Sequence, residues 1–467
     1  MSFAGLLRAH VAVRPGAPAL VFEGKTWSYA EFEAEVCWQG ERLSGAGLRR
    51  GQAMGWLGFN SVAMLAALFA CARSGIVFVP LNWRLAGPEL AALARHAGLA
   101  FCHADPGFEA PACPGGEAPE GADDLLLVYT SGTSGTPKGA VHTQTAMLAN
   151  LDAAIDAQAL DARTRCLVVL PLFHVGGLCI QALPTLAAGG VVRLHPRFDA
   201  GAWLADVQAW QPTTSLLVPA TMKAVIEHAL WAATDLRSLA FVNTGSSIIP
   251  RPLIDAFHAR GVPVCQVYGA TETGPVTLAL RPEEALAHPG SAGRPARGVA
   301  VRLQEGELQV CAPNLARGYH REPGAAAFAG GWFRTGDLAQ ADADGFFRIV
   351  GRLSDRIISG GENIDPAEIE AVAMADPAVA EAAVVGVADP RWGEVAVLAL
   401  VLHPGAALDT ARLQSAFEAQ LARFKHPRRS VVVDALPRTA LGKVRKSELA
   451  QRLACPSARA EALENRE

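Results

Sequence analysis

The segment with the clearest chemical potential is residues 130–139, which read TSGTSGTPKG. It follows an apolar run at 125–129 that predicts a buried strand. Its small residues let backbone N–H groups and hydroxyls close around phosphate oxygens, and Lys138 adds a positive charge. A Walker A loop is excluded, because that loop places Gly-Lys-Ser/Thr at the start of a helix and this segment ends in Pro-Lys-Gly. The sequence therefore predicts a phosphate-binding loop at the end of a strand.

A second group of polar side chains lies at residues 268–272, Tyr-Gly-Ala-Thr-Glu, directly after another predicted buried strand. An aromatic ring, a flexible glycine, a hydroxyl and a carboxylate suit a nucleotide that lies across strand ends. The single carboxylate of Glu272 is sufficient for Mg²⁺, because this ion is held by few carboxylates together with substrate phosphates. Asp337 lies in Arg-Thr-Gly-Asp, and a carboxylate at such a turn can accept both hydroxyls of a ribose.

These segments and several others resemble the adenylate-forming superfamily, which comprises acyl-CoA synthetases, the adenylation domains of peptide synthetases, and luciferases. Residues 130–139 resemble the phosphate-binding motif of that superfamily. Six further segments match in the same order and spacing, at 171–177 (PLFHVGG), 244–250 (TGSSIIP), 266–273 (QVYGATET), 331–339 (GWFRTGDLA), 351–370 (GRLSDRIISGGENIDPAEIE) and 437–449 (PRTALGKVRKSEL). The resemblance covers nearly the whole chain.

The resemblance implies an ATP site. It assigns Tyr268 to stacking on adenine, Thr271 to the α-phosphate and Glu272 to Mg²⁺, while Asp337 and Arg352 bracket the ribose. The other residues expected to bind ATP are Thr130, Ser131, Gly132, Thr133, Ser134, Gly135, Lys138, Gly245, Ser246 and Ser247. We therefore expect ATP and Mg²⁺ as cofactors of a reaction that activates a carboxylic acid as an acyl-adenylate.

The resemblance makes Lys443, in TALGKV, the catalytic lysine, with His174, Thr271 and Glu272 as further catalytic residues. A carboxylate that attacks the α-phosphorus brings two anions together, so a cation that bridges them offsets their repulsion in the transition state. His174 follows Pro-Leu-Phe and precedes Val-Gly-Gly, where its imidazole can face the substrate carboxylate or gate the approach of a thiol.

Coenzyme A is the expected acyl acceptor. Gly360 and Gly361 would let the backbone approach the pantetheine arm closely. Trp392, in DPRWGE, matches a tunnel-lining position of the aryl-CoA branch, although an ordinary packed tryptophan is the alternative. Lys425 belongs to a basic run at 424–429 that could meet the nucleotide phosphates of CoA, but such a run is often only a solvated face.

The acyl pocket is expected at His174, Val175, Gly176, Val267, Gly269 and Ala270. Malonate ligases place Arg directly before the Tyr-Gly pair, and because Val267 occupies that position malonate is not expected. The closest local resemblance is to aryl-CoA ligases such as halobenzoate–CoA ligase, and to o-succinylbenzoate–CoA ligase. We expect an aromatic or apolar (fatty) acid, with o-succinylbenzoate as a specific alternative.

Three other functions were weighed against a CoA ligase on the same residues. A stand-alone adenylation enzyme that loads a carrier protein would share the first half-reaction. Nothing in the sequence requires a luciferase-like oxygenase, and a non-catalytic scaffold would be expected to have lost Lys443 or Glu272, both of which are present.

Composition limits the partners. A formal net charge of −4 provides no strong field to hold a polyanion, so nucleic acid is not an expected partner. Arg8, His10 and Arg14 interrupt the N-terminal stretch where an export signal would need an apolar core. Residues 54–81 are interrupted by polar residues and predict a buried helix followed by a strand, not a membrane span. We expect a cytoplasmic protein that binds small molecules, and a homodimer is one assembly that the sequence leaves open.

The pattern of strands and helices that must position these residues predicts an α/β fold. Short apolar runs alternate with Ala-rich helical stretches through roughly residue 350, which favours buried parallel strands. The runs GELQVCAPNLARGYH and GFFRIVGR predict antiparallel strands in a β-rich unit at the end of this domain. A small, mobile α+β domain follows, whose hinge includes Ser354, where the superfamily usually has Asp or Lys. The predicted limits are 1–351 (large domain), 352–356 (hinge), 357–455 (small domain) and 456–467 (frayed tail).

Overall fold

The computed structural model describes residues 2–116, 118, 121–130, 138–247, 249–322, 326–438, 443–454 and 463–464. Its strands, in chain order, are β1 (Pro18–Phe22), β2 (Lys25–Ser28), β3 (Ala53–Leu57), β4 (Val77–Leu81), β5 (Leu99–Ala104), β6 (Asp124–Thr130), β7 (Lys138–Thr143), β8 (Arg165–Val168), β9 (Val191–Leu194), β10 (Thr214–Leu217), β11 (Phe241–Gly245), β12 (Val264–Tyr268), β13 (Leu278–Ala279), β14 (Arg294–Pro295), β15 (Ala300–Gln304), β16 (Glu307–Cys311), β17 (Gly318–Tyr319), β18 (Phe333–Ala341), β19 (Phe347–Arg352), β20 (Ile357–Ser359), β21 (Glu362–Ile364), β22 (Val379–Asp389), β23 (Gly393–Leu402), β24 (Arg429–Val432) and β25 (Leu463–Glu464).

The α-helices are α1 (Leu6–Val13), α2 (Tyr29–Gly45), α3 (Val62–Ser74), α4 (Gly87–Ala97), α5 (Gln144–Gln158), α6 (Leu183–Ala188), α7 (Ala200–Trp210), α8 (Pro219–Ile226), α9 (Arg251–His258), α10 (Pro366–Met374), α11 (Thr410–Gln420) and α12 (Lys446–Ala454). A π-helix spans Gly176–Ala182, and short 3₁₀ turns include Thr271–Thr273 and Leu353–Asp355.

The largest sheet has nine strands in the order β14-β13-β12-β11-β10-β8-β9-β1-β2. Six consecutive strands of this sheet run parallel to one another, in the order β12, β11, β10, β8, β9 and β1. Most of their residues are apolar and buried, as expected for a parallel sheet whose two faces are covered by helices. The carboxyl ends of β11 and β12 therefore lie side by side, which brings the segments after Gly245 and Tyr268 to one edge of the sheet.

A second sheet has the order β17-β7-β6-β4-β3-β5. In it, β6 and β7 pair antiparallel with Thr130 opposite Lys138, so the predicted phosphate loop connects two ends of one hairpin. The Thr143 side chain ends this hairpin and caps α5, because its hydroxyl accepts a hydrogen bond from the Ala146 N–H. Between the strands α3 is buried on all sides, with Ser61 as its N-cap and Gly75 at its end in the left-handed conformation.

Strands β15, β16, β18 and β19 form a four-stranded sheet in that order. It contains β16, from the first run predicted for the β-rich unit, and β19, from the second. The end of the first run, β17, instead pairs antiparallel with β7 at the edge of the second sheet, with Tyr319 opposite Ala140. This difference matters below, because it carries Tyr319 towards Glu272.

The C-terminal part is an α+β unit around the long antiparallel pair of β22 and β23. Alternate residues of the pair face opposite sides, as the period of two requires. Val384 and Leu398 pack in a core with residues of α10 and α11, whereas Val385 and Val397 pack with residues of α12. Strand β24 extends this sheet in parallel with β23.

The chain divides into two compact units. One comprises Met1–Arg302, Gln309–Thr335 and Asp342–Phe347, and the other comprises Leu303–Leu308, Gly336–Ala341 and Arg348–Glu467. The predicted α/β class, with a large N-terminal domain and a smaller C-terminal one, is confirmed. The hinge at 352–356 and the exact domain limits stay predictions. The tail at 456–467 lies mostly outside the described residues, and of its members only β25 is described, paired with β24.

One element differs from expectation at residues 54–81. The prediction was a helix followed by a strand, but the region begins with a strand, β3, before α3 and β4. All five residues of β3 are buried, so its apolar run has no alternation and resembles helix on sequence alone. Among the described residues, no helix combines the length and the hydrophobicity needed to cross a bilayer.

Candidate active site

The hairpin of β6 and β7 places the two described ends of the predicted phosphate loop together. The Thr130 hydroxyl donates to the Lys138 carbonyl over 3.4 Å. The Lys138 ammonium lies 2.8 Å from the Glu322 carboxylate and 5.0 Å from the centre of the Tyr319 ring. The intervening predicted ligands, Ser131, Gly132, Thr133, Ser134 and Gly135, lie outside the described residues.

The segment after β11 carries the predicted Gly245, Ser246 and Ser247. A Cβ at Gly245 would overlap the carbonyl oxygen of Val267 on the neighbouring strand, so only glycine fits this close approach. Ser246 has a φ of 74°, which turns the chain sharply out of the sheet. Both serines are exposed, and their hydroxyls are therefore accessible to a polar ligand.

The segment after β12 forms a tight loop. A Cβ at Gly269 would overlap the Pro275 carbonyl oxygen, so the chain can close here only with glycine. The Thr273 hydroxyl accepts a hydrogen bond from the Ala270 N–H over 2.9 Å, and Thr271, Glu272 and Thr273 form a 3₁₀ turn. The loop thus holds Thr271 and Glu272 in one conformation at the edge of the sheet.

Two residues that the sequence analysis did not select also hold this loop. The buried Asn314 amide donates to the Thr273 carbonyl over 2.9 Å and to the Val276 carbonyl over 3.1 Å. The Ala316 N–H donates to the Glu272 carbonyl over 2.8 Å. Asn314 lies inside the run GELQVCAPNLARGYH, three residues after the end of β16, where a Pro-Asn pair signals no more than a turn.

The side chain of Glu272 is held by Tyr319, a third residue that was not predicted for the site. The Tyr319 hydroxyl donates to Glu272 Oε1 over 2.7 Å. Among the described residues, no other side chain or backbone group forms a hydrogen bond with this carboxylate, so Oε2 is available to a ligand. An oxygen donor of this kind fits a hard cation such as Mg²⁺. Within the described part of the chain no cluster of three or more metal-binding side chains occurs.

His142 on β7 is fully buried beside the same loop. Burial lowers the pKa of its imidazole from 6.5 to about 4, and a polar contact with the Thr271 backbone only partly opposes that shift. Neither ring nitrogen has a hydrogen-bond partner within the part of the chain that the structure describes. His142 is therefore neutral near pH 7.

His142→Gln is expected to make the protein less sensitive to acid between pH 6.5 and 4. In this range the unfolded chain binds a proton at His142 that the folded chain does not, so the histidine lowers the free energy of unfolding as the pH falls. The effect reaches at most about 3 kcal/mol at the acid end. Urea unfolding at pH 7.5 and at pH 4.5 should show that the variant loses less unfolding free energy between the two than the unmodified protein does. His403→Gln, at an exposed histidine, should lose as much as the unmodified protein. Equal losses in all three proteins would contradict the assignment.

His174 lies in the turn that leads into the π-helix. Its ring centre is 4.3 Å from that of Phe173, and its carbonyl accepts a hydrogen bond from the Leu178 N–H over 3.2 Å. π-Helices are rare and are frequently found at functional sites. Here Asn150 donates to the Cys179 carbonyl and Gln158 donates to the Ile180 carbonyl, over 2.8 and 2.9 Å.

An apolar cluster joins the predicted acyl-pocket segments. Val267 is 5% exposed and packs in one buried cluster with Ile180 of the π-helix and with Leu216 and Val218 at the end of β10. A Cβ at Gly176 would meet Leu216 at an ordinary 3.9 Å. Val175, Gly269 and Ala270 are half-buried. The structure thus places two of the predicted pocket segments, the π-helix and the end of β12, around common apolar contacts.

The second unit carries the predicted ribose pair. The Arg352 Nε lies 2.5 Å from the Asp337 carboxylate, and Asp337 is buried while Arg352 is exposed. The two residues that were expected to bracket the ribose are therefore in direct contact, and their ion pair fixes the carboxylate. The Gly336 N–H donates to Glu307, which holds the turn before Asp337.

Lys443 is exposed and immediately precedes Val444, which forms a β-bridge with Arg438. Arg438 is tied to Glu381 of β22 by an ion pair of 2.5 Å. Residues 439–442 lie outside the described residues. The described ends of the segment are therefore anchored to the α+β unit, on either side of the predicted catalytic lysine.

Three of the predicted CoA residues come together. Gly360 and Gly361 have φ values of 59° and 89° and form the two-residue turn between β20 and β21. The Gly360 N–H donates to the Trp392 carbonyl over 2.8 Å, and a Cβ at Gly360 would lie 2.6 Å from the indole ring. The Trp392 ring is therefore packed directly on the turn.

Lys425, the fourth predicted CoA residue, has its closest contact away from the glycine turn. Its ammonium forms an ion pair of 2.5 Å with Glu368 of α10. The cations nearest the Trp392 ring are Arg391 and Arg428, at 4.9 and 5.2 Å from its centre. Arg428 belongs to the same basic run as Lys425, so the run does reach the glycine turn, but through a different residue.

Comparison with protein families matches residues 7–112 and 104–320 to the family described as AMP-binding enzyme. Residues 368–443 match the AMP-binding enzyme C-terminal domain. Indoleacetate–CoA ligase from Aromatoleum aromaticum is 39% identical, with 95% of this chain and 97% of the relative covered. Feruloyl-CoA synthase from an Amycolatopsis species is 38% identical, with 94% and 96% covered.

Solved structures of o-succinylbenzoate CoA synthetase from Bacillus subtilis share the fold, with 31% identity, a TM-score of 0.85 and 95% of this chain covered. One of them holds the acyl-adenylate intermediate, and the match covers 97% of the solved chain. Another holds ATP and a magnesium ion, and the match covers 99% of the solved chain.

Proposed function

The chain belongs to the AMP-binding enzyme family, and we propose that it is an AMP-forming acid–thiol ligase that converts a carboxylic acid to its CoA thioester. The observation that carries this proposal is the junction of two segments. The hairpin that ends at Lys138 and the loop that holds Thr271 and Glu272 are connected through Tyr319, so a triphosphate and its metal ion can be bound by both.

In the first step a carboxylate oxygen of the acid attacks the α-phosphorus of ATP, and pyrophosphate leaves. We assign Tyr268 to the adenine, Thr271 to the α-phosphate, and Asp337 with Arg352 to the ribose. The Lys443 ammonium bridges the two anions as they approach. Mg²⁺ held at Glu272 would neutralise charge on the phosphate oxygens.

In the second step the CoA thiol attacks the acyl carbon of the adenylate, and AMP leaves. We assign the glycine turn at Gly360 and Gly361, together with Trp392, to the pantetheine arm. A rotation of the smaller domain about residues 352–356 would exchange the Lys443 segment for this turn. The exposed Ser354 supports a hinge here, since among the residues that the structure describes its hydroxyl bonds only to its neighbour Asp355.

The acid is proposed to be an aryl or arylalkyl carboxylate. The named relatives act on indoleacetate, ferulate and o-succinylbenzoate, all of which carry an aromatic ring. The cluster around Val267 and Ile180 offers an apolar wall that suits such a ring. A fatty acid is the second candidate, because the same wall is equally suited to an alkyl chain.

The test is to supply purified protein, Mg²⁺, ATP and CoA with a panel of acids and to measure AMP and acyl-CoA. The panel contains indoleacetate, ferulate, o-succinylbenzoate, benzoates, cinnamates and fatty acids. We expect stoichiometric AMP and acyl-CoA with at least one ring-containing acid. Folded protein that binds ATP but forms no AMP with any acid would refute the ligase assignment.

A further measurement separates the ligase from an enzyme that loads a carrier protein. Thiol kinetics with CoA and with a holo-carrier protein distinguish the ligase from a carrier-loading enzyme, and we expect CoA to be preferred. We also propose a cytoplasmic location and a homodimer, and light scattering of the purified protein measures the second directly.

A further inference from the structure

We propose that Tyr319 is a positioning residue for the metal site: its hydroxyl fixes the Glu272 carboxylate so that Oε2 is presented to the Mg²⁺ that accompanies ATP. The inference rests on the proposed function, because it assumes that Glu272 holds that ion. It is carried by the 2.7 Å hydrogen bond from the Tyr319 hydroxyl to Glu272 Oε1, between residues 47 positions apart.

The Tyr319 ring is held firmly enough to direct a hydrogen bond. Its backbone pairs with Ala140 of β7 at the edge of the second sheet. The Phe328 ring packs against it edge-on, with centres 5.5 Å apart. The Lys138 ammonium lies 5.0 Å from the ring centre. Contacts to backbone, an aromatic ring and a cation thus set the direction of the hydroxyl.

Glu272 needs such a partner. Its backbone is fixed by Ala316, but a glutamate side chain has three rotatable bonds and can place its carboxylate in several positions. A hydrogen bond to an ionised carboxylate is among the stronger ones, and it leaves one oxygen with its lone pairs available. Tyr319 therefore selects the orientation in which a hard cation meets Oε2, in the way that neighbours of other metal ligands orient them.

The test compares Tyr319→Phe with the unmodified protein by calorimetric titration of ATP, once with Mg²⁺ and once with EDTA. No acid is added, so binding is measured without turnover. We expect Mg²⁺ to increase ATP affinity in the unmodified protein, and we expect Tyr319→Phe to reduce that increase about tenfold. Binding in EDTA should be unchanged, because the phenyl ring preserves the contacts with Phe328 and Lys138.

Tyr129→Phe is the matched control. It also removes one tyrosine hydroxyl from this sheet, one that lies 2.8 Å from His96 Nδ1 and does not contact Glu272. This variant should keep the full effect of Mg²⁺. In addition, Tyr319→Phe should have no further effect on the Mg²⁺ increment once Glu272→Gln is present, because the two residues act through one contact.

The outcomes separate the inference from the proposed function. If Mg²⁺ does not increase ATP affinity even in the unmodified protein, the assignment of a metal–nucleotide site is wrong. If it does so equally in Tyr319→Phe, the positioning role is wrong and the proposed function stands. A loss of binding in Tyr319→Phe that is equal with Mg²⁺ and with EDTA would show a merely structural tyrosine and overturn the inference.

Discussion

Lys443→Ala is expected to abolish adenylate formation while sparing thioester formation from added acyl-adenylate. Without the ammonium, the carboxylate and the α-phosphate approach each other without the cation that bridges them, so the first step should slow by about a thousandfold or more. The second step begins from the adenylate, in which that repulsion no longer exists. Pyrophosphate release reports the first step, and acyl-CoA formed from synthetic acyl-adenylate and CoA reports the second.

Arg445→Ala is the control for this prediction. It removes a neighbouring exposed cation whose nearest acidic partner is Glu448, at 3.6 Å. Both half-reactions should proceed at normal rates in this variant. Unchanged pyrophosphate release in Lys443→Ala would refute the assigned role, and equal loss of both steps would indicate damage to the fold of the C-terminal unit.

Gly269→Ala is expected to disrupt the loop that carries Thr271 and Glu272. The added methyl group would overlap the backbone oxygen of Pro275, which cannot move aside like the end of a side chain. The variant should lose roughly 3 kcal/mol of stability. Because a shift of about 1 Å in a binding group can cost a hundredfold in rate, pyrophosphate release should fall by at least that factor. Thermal unfolding and the pyrophosphate assay measure the two effects.

Gly40→Ala provides the comparison, since a Cβ at this position in α2 meets nothing within 4 Å. An alanine there removes freedom from the unfolded chain and should slightly raise stability, with no change in activity. Gly269→Ala with normal stability and normal pyrophosphate release would show that the loop has room that its geometry does not indicate.

The parts of the site that follow a strand were predictable from the sequence. The short apolar runs that predicted buried parallel strands include β11 and β12. Because parallel strands end at one edge of a sheet, the segments that follow these two strands meet in the structure. Gly245 and Gly269 now have a physical reason for their identity, because each lies against a backbone oxygen. For the phosphate segment, the strand before the loop was predicted, but the strand that follows it, β7, was not.

The contacts that hold the site were not predictable, because they join distant parts of the chain. Strand β17 has only two residues, too few to show any period, and its pairing with β7 depends on the tertiary fold. Nothing local distinguishes Tyr319 or Asn314 from residues of an ordinary turn. Strand β3 was missed for a different reason, since complete burial removes the alternation that identifies a strand.

If Lys138 binds the nucleotide phosphates as we propose, its ion pair with Glu322 makes that binding an exchange of one anion for another. The ammonium already has a carboxylate at 2.8 Å, so an anion that contacts this lysine alone replaces one exposed ion pair with another and gains little. A triphosphate that is also held at the opposite loop would bind through further contacts. On the proposed function, the ion pair therefore favours ligands long enough to reach both loops over small anions such as chloride.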